Sequence, residues 1–361
     1  MNDIRLGSTF SGIGSIEQAL KLEKIDYSIV FASDNGEREI SEDPEEIRKA
    51  VFGLNQKEIN NYIAQVYEKT KKRNYVKDSY FANYKIDESS WCEDIRFLDG
   101  TQFTGSVDLF VGGSPCQSFS LMGKRGGLED TRGTLFYDYA RLIKEIQPKA
   151  FIYENVPGML THDGGDTWKT INEVFKSLHY KIQPDILNAL HFGIPQGRKR
   201  LYVVGWKDKE KMFEFPQGDG CKTTMFDYLE ETVDSKYYLG KKGFEFVTNP
   251  QFSSRAKINS KIIKTQKANQ QFNWNGDFVF ESYEKIRNRD DVLKQAYVGK
   301  WNGQVGVARK LTPRECLRLM GYPDDFKIVV PDVQAYRQSG NSIVVPVMRA
   351  IVRQLREAKI L

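Results

Sequence analysis

The feature that most constrains this chain is an apolar run, Val107–Val111, which ends in two glycines and a proline before a cysteine. A short continuous apolar run bounded by turn residues is typical of a strand buried in a parallel sheet. The sequence VDLFVGGSPCQSFS therefore places Cys116 on a tight turn at the carboxyl end of a strand. Ligands in open α/β sheets bind at that edge, so we expect Cys116 to serve a site. The alternative is a buried structural cysteine, which is the usual environment of an unpaired thiol.

Short apolar runs alternate with helical patterns through the first half of the chain, as they do in βα units. The predicted strands are Ile4–Leu6, Ser28–Ala32, Val107–Val111, Lys149–Tyr153, Lys181–Ile186 and Leu201–Val204. The segment Gly36–Ser90 interrupts this order. Its apolar residues recur at helical spacing with charges between them, which predicts a surface helical insertion of structural role. The alternation as a whole predicts an α/β fold.

The sequence changes character after about Lys207, where the regular βα pattern stops. Lys209–Val307 is rich in Lys, Asn, Gln, Tyr and Phe, and one stretch of it is basic with no acid. The basic residues of that stretch are Arg255, Lys257, Lys261, Lys264 and Lys267. Basic groups that reach phosphates, beside polar groups that read base edges, favour a DNA-facing surface. The alternative is an ordinary solvated face.

Regular structure is predicted again near the end of the chain. Thr312, Pro313 and Glu315 form the pattern of a capped helix start, and Gly321 is placed to end that helix. An apolar helix closes the chain. We therefore predict one domain from residues 1–207 and 338–361, with a smaller domain, residues 208–337, inserted before the C-terminal segment.

Composition excludes several classes of site and protein. The four cysteines are far apart without a CxxC pair, and the three histidines lack metal-ligand spacing, so neither a disulfide framework nor a metal site is expected. The start of the chain lacks an apolar signal core, and no apolar run approaches about 18 residues. We expect a cytoplasmic protein with no membrane partner. The net charge of +5 permits a nucleic-acid partner without establishing one.

Two glycines and two acids indicate a cofactor site. Gly12 and Gly14 stand between a predicted strand and a predicted helix, where backbone amides can approach a cofactor. Asp34 follows the second strand, at a position from which an acid can bind ribose hydroxyls. Asp94, in CEDIRF, is a second acid in a predicted loop. Such a loop serves both nicotinamide and methyl-donor enzymes, although the absence of a complete GxGxxG disfavours a dinucleotide.

Further polar residues are predicted to meet Cys116 at the same sheet edge. FIYENVPG places Glu154 at the end of a strand, and QGRKRLYVVG places Arg198 and Arg200 just before another. A nucleophile, a proton donor and cationic groups in one cleft indicate covalent catalysis.

At this point the chain resembles the cytosine-5 DNA methyltransferases, and the resemblance spans nearly its whole length in the family's motif order. The segments that carry it are FSGIG (motif I), EDI (motif III), GGSPCQSFS (motif IV), ENV (motif VI), QGRKR (motif VIII), RKLTPRECLRLMGYP (motif IX) and GNSIVVPV (motif X). The resemblance implies a Rossmann-like sheet that binds S-adenosylmethionine, with an inserted target-recognition domain. Between motifs IV and VI, GKRGGLEDTRGTLF resembles the family's loop that closes over DNA.

The resemblance also implies a mechanism and a set of site residues. Cytosine is flipped out of duplex DNA, Cys116 attacks carbon 6, and carbon 5 receives the methyl group. Glu154 bonds ring nitrogen 3 and the exocyclic amine, while Arg198 and Arg200 hold the base oxygen, a phosphate and the catalytic groups. The implied methyl-donor pocket is lined by Phe10, Gly12, Gly14, Asp34, Asp94, Ile95, Pro115, Leu135, Asn341 and Ser342. The implied DNA contacts are Gln117, Met122, Lys124, Arg125, Arg255, Lys257, Lys261 and Lys264.

Two other functions stay open at this level. One is a transfer-RNA cytosine methyltransferase with the same motifs, and the roughly 100-residue stretch between QGRKR and RKLTPRE favours DNA over it. The other is a catalytically silent DNA-binding regulator, which the intact cysteine, glutamate and arginines disfavour. We expect a monomer that modifies DNA alone or beside a separately acting restriction endonuclease.

Overall fold

The structure is a computed structural model, and it describes residues 3–115 and 135–361. The strands are β1 (Ile4–Thr9), β2 (Tyr27–Ser33), β3 (Trp91–Cys92), β4 (Leu109–Gly112), β5 (Ala150–Asn155), β6 (Lys181–Asn188), β7 (Gln196–Gly197), β8 (Lys199–Trp206), β9 (Ala256–Ile258), β10 (Ile263–Lys264), β11 (Gly276–Ser282), β12 (Gly299–Trp301) and β13 (Gln304–Lys310). The helices are α1 (Ser15–Leu22), α2 (Pro44–Ala50), α3 (Gln56–Glu68), α4 (Tyr75–Asn83), α5 (Leu135–Ile146), α6 (Asp166–Ser177), α7 (Lys241–Thr248), α8 (Tyr283–Ile286), α9 (Asp290–Gln295), α10 (Pro313–Arg318), α11 (Asp332–Asn341) and α12 (Val345–Glu357).

The chain forms two compact units. The first unit comprises Met1–Leu187, Lys199–Gln217 and Val347–Leu361, and the second comprises Asn188–Arg198 and Gly218–Pro346. Both units therefore contain segments that are distant in sequence. The division of roles between two domains, residues 1–207 with 338–361 and residues 208–337, stays a prediction.

The first unit contains a sheet of seven strands in the order β3-β2-β1-β4-β5-β8-β6. All six predicted strands are present, which confirms the α/β prediction. β1 pairs in parallel with both β2 and β4, and β4 pairs in parallel with β5. Aromatic residues from β4, β5, α5 and α6 pack together and are fully buried; they are Phe110, Phe136, Tyr139, Phe151, Tyr153 and Phe175.

One strand departs from the simple βα repeat, because β8 runs antiparallel to β5. Residues 189–198, between β6 and β8, are too few for the crossover that a parallel neighbour of β6 requires. The antiparallel direction has a consequence for the site. It places the start of β8 beside the end of β5, with Asn155 paired to Leu201 and Glu154 paired to Tyr202.

The segment between β2 and β3 is helical, as the periodicity predicts, and contains α2, α3 and α4. Asp43 caps α2, and Asn55 forms a capping box with Glu58 at the start of α3. Buried apolar residues of α2 and α3 form a cluster of their own with Phe97. This cluster packs α2 and α3 against the segment that follows β3.

The second unit contains a four-stranded sheet in the order β12-β13-β11-β9 and a short β7–β10 pair. The predicted capping box of α10 is confirmed, since Thr312 accepts from the Glu315 amide and Glu315 accepts from the Thr312 amide. Arg309 is fully buried and lies between the carboxylates of Glu281 and Glu315. A buried guanidinium needs such partners, because an unpaired charge in the protein interior is costly.

Candidate active site

The loop between β1 and α1 has the backbone conformation that a glycine loop requires. Phe10, Gly12 and Gly14 have φ angles of +50°, +53° and +75°. The amide of Gly14 bonds the carbonyl of Ser11 at 3.0 Å, and Gly14 then stands directly before α1. The positive φ angles turn the chain sharply at the carboxyl end of β1, at the sheet edge where cofactors bind in such folds.

Asp34 follows β2 and is bonded to the glycine loop. Its carboxylate accepts the amide of Gly12 at 2.9 Å and the amide of Gly36 at 2.8 Å, one on each oxygen. Burial raises the pKa of Asp34, and these two amide hydrogen bonds oppose that shift. Since each carboxylate oxygen can accept about two hydrogen bonds, capacity remains on Asp34 for ribose hydroxyls. The loop and the acid therefore fit the ribose end of S-adenosylmethionine.

Asp94 is engaged differently from Asp34. Its oxygens accept the hydroxyl of Tyr67 at 2.6 Å, the backbone amide of Arg96 at 2.9 Å and the Arg96 guanidinium at 2.6–3.0 Å. These bonds use the accepting capacity of the carboxylate. The geometry assigns Asp94 to holding this loop in place, and its neighbour Ile95 is buried.

The predicted nucleophile lies outside the described residues, as do Gln117, Met122, Lys124 and Arg125. The structure describes the turn up to Pro115, which is exposed, and resumes at Leu135, which is half-buried. Gly113 approaches β5 so closely that a Cβ there would lie 2.5 Å from the carbonyl oxygen of Glu154. Only glycine fits at this position, three residues before Cys116.

The turn is also held by a hydroxyl network that sequence reasoning missed. The hydroxyls of Ser114 and Tyr153 lie 2.7 Å apart. The side-chain amide of Asn155 donates to the carbonyl of Ser114 at 2.8 Å and to the Tyr153 hydroxyl at 3.0 Å. All three residues are buried. The sequence contained one signal for this network, which is Tyr153 immediately before ENV. The alternation of side chains along a strand places this tyrosine in the core.

Glu154 and Arg200 form the ion pair of the site. The Arg200 Nε lies 3.1 Å from Glu154 Oε1, and their side chains are 16% and 15% exposed. The antiparallel pairing of β5 with β8 makes this contact, so two predicted catalytic residues are brought together. Partial exposure leaves the pair accessible to a substrate, while the ion pair fixes the direction of the carboxylate.

Arg198, Asn341 and Ser342 belong to the second unit. The Arg198 guanidinium is buried and donates to the carbonyls of Gln266, Gly340 and Ser342 at 2.7, 3.1 and 2.8 Å. The Ser342 hydroxyl lies 2.8 Å from that of Tyr322. Asn341 is exposed and is the last residue of α11, so it does not cap the final helix. Arg198 thus holds the segment before α12 together within this unit.

The basic run also lies in the second unit, and its members differ in what they contact. Lys264 donates to the carbonyls of Ser253 and Ser254 at 3.1 and 2.6 Å. Burial lowers the pKa of Lys264, with the charge of Lys257 acting in the same direction. Arg255 donates to the carbonyl of Asn273 at 3.0 Å.

Lys257 and Lys261 are exposed, as is Arg255.

Within residues 3–115 and 135–361, no group of three His, Cys, Asp or Glu side chains is placed to hold a metal ion. The same part of the chain contains no helix that is both long and apolar enough to cross a membrane.

Comparison with known proteins gives consistent matches. A family model described as C-5 cytosine-specific DNA methylase matches residues 47–357. The type II methyltransferase M1.ScrFI of Lactococcus lactis subsp. cremoris is 37% identical over 254 residues, which are 69% of this chain and 62% of that enzyme. M.SsoII of Shigella sonnei is 39% identical over 288 residues, 78% of this chain and 71% of that enzyme. A crystal structure of the S. pombe Dnmt2 methyltransferase has the same fold, with a TM-score of 0.65, 20% identity and 98% of each chain covered.

Proposed function

The chain belongs to the family of C-5 cytosine-specific DNA methylases, and from this premise we propose that it methylates carbon 5 of cytosine in duplex DNA with S-adenosylmethionine as donor. The observation that carries the proposal is the Glu154–Arg200 ion pair, one strand away from the turn that leads into Cys116. Glu154 and the turn that leads into Cys116 are thus neighbours at one edge of the sheet.

Each residue has a distinct role in this proposal. The thiolate of Cys116 adds to carbon 6 of a flipped cytosine, which makes carbon 5 nucleophilic. Glu154 hydrogen-bonds ring nitrogen 3 and the exocyclic amine, and Arg200 keeps its carboxyl group directed at the base. S-adenosylmethionine supplies an electrophilic methyl group when bound. Loss of the carbon 5 proton to water then releases the cysteine.

The donor pocket is proposed to lie at the carboxyl ends of β1, β2 and β3. Gly12 and Gly14 bring backbone close to the donor, Asp34 binds its ribose hydroxyls, and Asp94 holds the loop that presents Ile95. Phe10, Pro115 and Leu135 are proposed to line this pocket as well. Asn341 and Ser342 are proposed to contribute from residues 338–361, and residues 208–337 to select the DNA sequence.

Methyl transfer is tested with tritiated S-adenosylmethionine and either duplex DNA or transfer RNA. We expect label in DNA, and loss of several orders of magnitude in rate for Cys116→Ala. Glu154→Gln should slow the reaction strongly with little change in donor binding, because glutamine keeps the shape but supplies no acidic proton. Glu173→Gln, on the exposed face of α6, is the matched control and should keep wild-type rates.

The outcomes separate the candidate functions. Label in transfer RNA alone would support the transfer-RNA enzyme instead. More than about a tenth of wild-type activity in Cys116→Ala would contradict the nucleophile. A duplex with 5-fluorocytosine should form a covalent adduct, and a failure to trap would favour the silent regulator. The relatives' names are those of type II methyltransferases, so we propose a modification enzyme that acts separately from any restriction partner. Bisulfite sequencing identifies its target site in DNA.

A further inference from the structure

The helical segment between β2 and β3 sends polar side chains to the glycine loop. Tyr84, the residue after α4, shares its hydroxyl hydrogen between the carbonyl oxygens of Ile13 and Gly14, at 3.1 and 2.7 Å. Its ring fills the space beneath Gly14, where a Cβ would lie 2.2 Å from Tyr84 Cε2. Tyr84 is therefore in direct contact with the loop that is proposed to approach the methyl donor.

Tyr80, one turn earlier on α4, reaches the same loop through α1. Its hydroxyl donates to Glu17 Oε1 at 2.6 Å, and the Ser8 hydroxyl donates to the same oxygen at 3.1 Å. The hydroxyl of Ser8 in turn lies 2.9 Å from the hydroxyl of Ser11, which is in the glycine loop. Glu17 and Tyr80 are fully buried, so these hydrogen bonds are shielded from competition with water.

The two acids of the donor pocket are held by the same segment. Asn74, which caps α4, donates to the carbonyl of Asp34 at 2.9 Å. Tyr67 of α3 donates to the Asp94 carboxylate at 2.6 Å. Tyr67 also belongs to the apolar cluster of α2 and α3, whereas Asn74, Tyr80 and Tyr84 do not. Packing in that cluster therefore does not account for the polar contacts that these three residues make to Asp34, α1 and the glycine loop.

We propose that residues 36–90 position the methyl-donor pocket and set its affinity, with Tyr84 and Tyr80 as positioning residues for the glycine loop. The inference rests on the proposed function, because it assigns the donor to that loop. Tyr84 fixes two carbonyls at the point where the chain turns into α1. Without its hydroxyl the loop is free to sample other conformations, and the donor must then bear the cost of ordering it.

The test is direct binding of S-adenosylmethionine to the full chain, measured by calorimetry, together with steady-state kinetics. Tyr84→Phe keeps the ring and removes only the hydroxyl. We expect its Kd for S-adenosylmethionine to rise about two- to tenfold, the equivalent of one net hydrogen bond. KM for the donor should rise in parallel, while kcat at saturating donor and KM for DNA stay near wild type. Tyr80→Phe is the second variant and should raise the Kd in the same direction.

Tyr62→Phe is the matched control, because Tyr62 lies on α3 and is 37% exposed. It should bind the donor as wild type does. A lower melting temperature of Tyr84→Phe with unchanged Kd would overturn the inference, since it would show a purely structural role. If the wild-type chain itself failed to bind S-adenosylmethionine, the proposed function would fall and this inference with it. Unchanged binding in both loop variants, beside normal wild-type binding, would overturn the inference alone.

Discussion

Gly12 and Gly14 offer a matched pair of substitutions that separates backbone strain from steric overlap. Both residues have positive φ, at +53° and +75°. At Gly12 the nearest atom to an added Cβ, among the described residues, is the carbonyl oxygen of Phe10 at 3.9 Å. At Gly14 the added Cβ would lie 2.2 Å from the ring of Tyr84. Alanine at Gly12 therefore adds strain alone, whereas alanine at Gly14 adds strain and a clash.

The expected losses of stability follow from these distances. Left-handed backbone costs a non-glycine residue about 1–2 kcal/mol, which is the loss we expect for Gly12→Ala. Overpacking in a filled interior adds about 1–3 kcal/mol, so Gly14→Ala should lose about 2–5 kcal/mol. Tyr84 is held by its hydroxyl to Ile13 and Gly14, so its ring cannot move aside without breaking those bonds.

Urea unfolding followed by tryptophan fluorescence measures the free energy of unfolding for both variants. A double-mutant cycle with Tyr84→Ala isolates the clash, because alanine at that position removes the ring that the new methyl group meets. In the Tyr84→Ala background, Gly14→Ala should cost only the strain of about 1–2 kcal/mol. Equal losses for Gly12→Ala and Gly14→Ala, or a cycle with no coupling, would show that the ring of Tyr84 does not restrict the side chain at position 14.

Three further experiments test other parts of the protein. Burial raises the pKa of Glu17 above its ordinary value of 4.5. Wild type should therefore lose stability relative to Glu17→Gln as pH rises from about 4.5 through the folded-state pKa. Urea unfolding of both proteins at pH 5 and pH 8 measures this loss, and a stability difference that does not change with pH would contradict it. Arg309→Met should destabilise the second unit by about 3–5 kcal/mol, because it removes the ion-pair partner of the buried Glu315 carboxylate, whereas Glu281 keeps its contact with Lys285. Adding Glu315→Gln should restore part of that loss in thermal unfolding. Lys257→Ala should weaken binding to every DNA sequence and lessen the salt dependence of binding by about one charge. Lys264→Ala should instead lower thermal stability, because the ammonium group of Lys264 binds two carbonyls. DNA titrations at two salt concentrations, beside thermal unfolding of each variant, distinguish the two effects.

Local sequence signals predicted those parts of the fold that depend on neighbouring residues. The strand at Val107–Val111 was visible because an apolar run and its turn residues are contiguous. The capping box at Thr312 was visible because its two partners are three residues apart. The same holds for the position of Gly12 and Gly14 between a strand and a helix, because both predicted elements are adjacent to the glycines in sequence.

The direction of β8 could not be predicted in this way, because an apolar strand has the same pattern whichever way it runs. That direction decides whether Arg200 reaches Glu154. The motif order suggested that they meet, but the physical cause is the antiparallel pairing of Glu154 with Tyr202. A parallel β8 would have placed its first residues at the opposite edge of the sheet.

The helical segment between β2 and β3 shows a further limit of periodicity. Its apolar spacing correctly predicts helices, yet it indicates only a surface insertion of structural role. The contacts that matter are hydroxyls and amides, which helical periodicity counts simply as polar positions. Tyr80 lies on α4 and Tyr84 directly follows that helix, but their partners lie 63 and 70 residues earlier in the chain. A segment can thus be an insertion in sequence and still contact the glycine loop, Asp34 and Asp94, which are the elements proposed to bind the methyl donor.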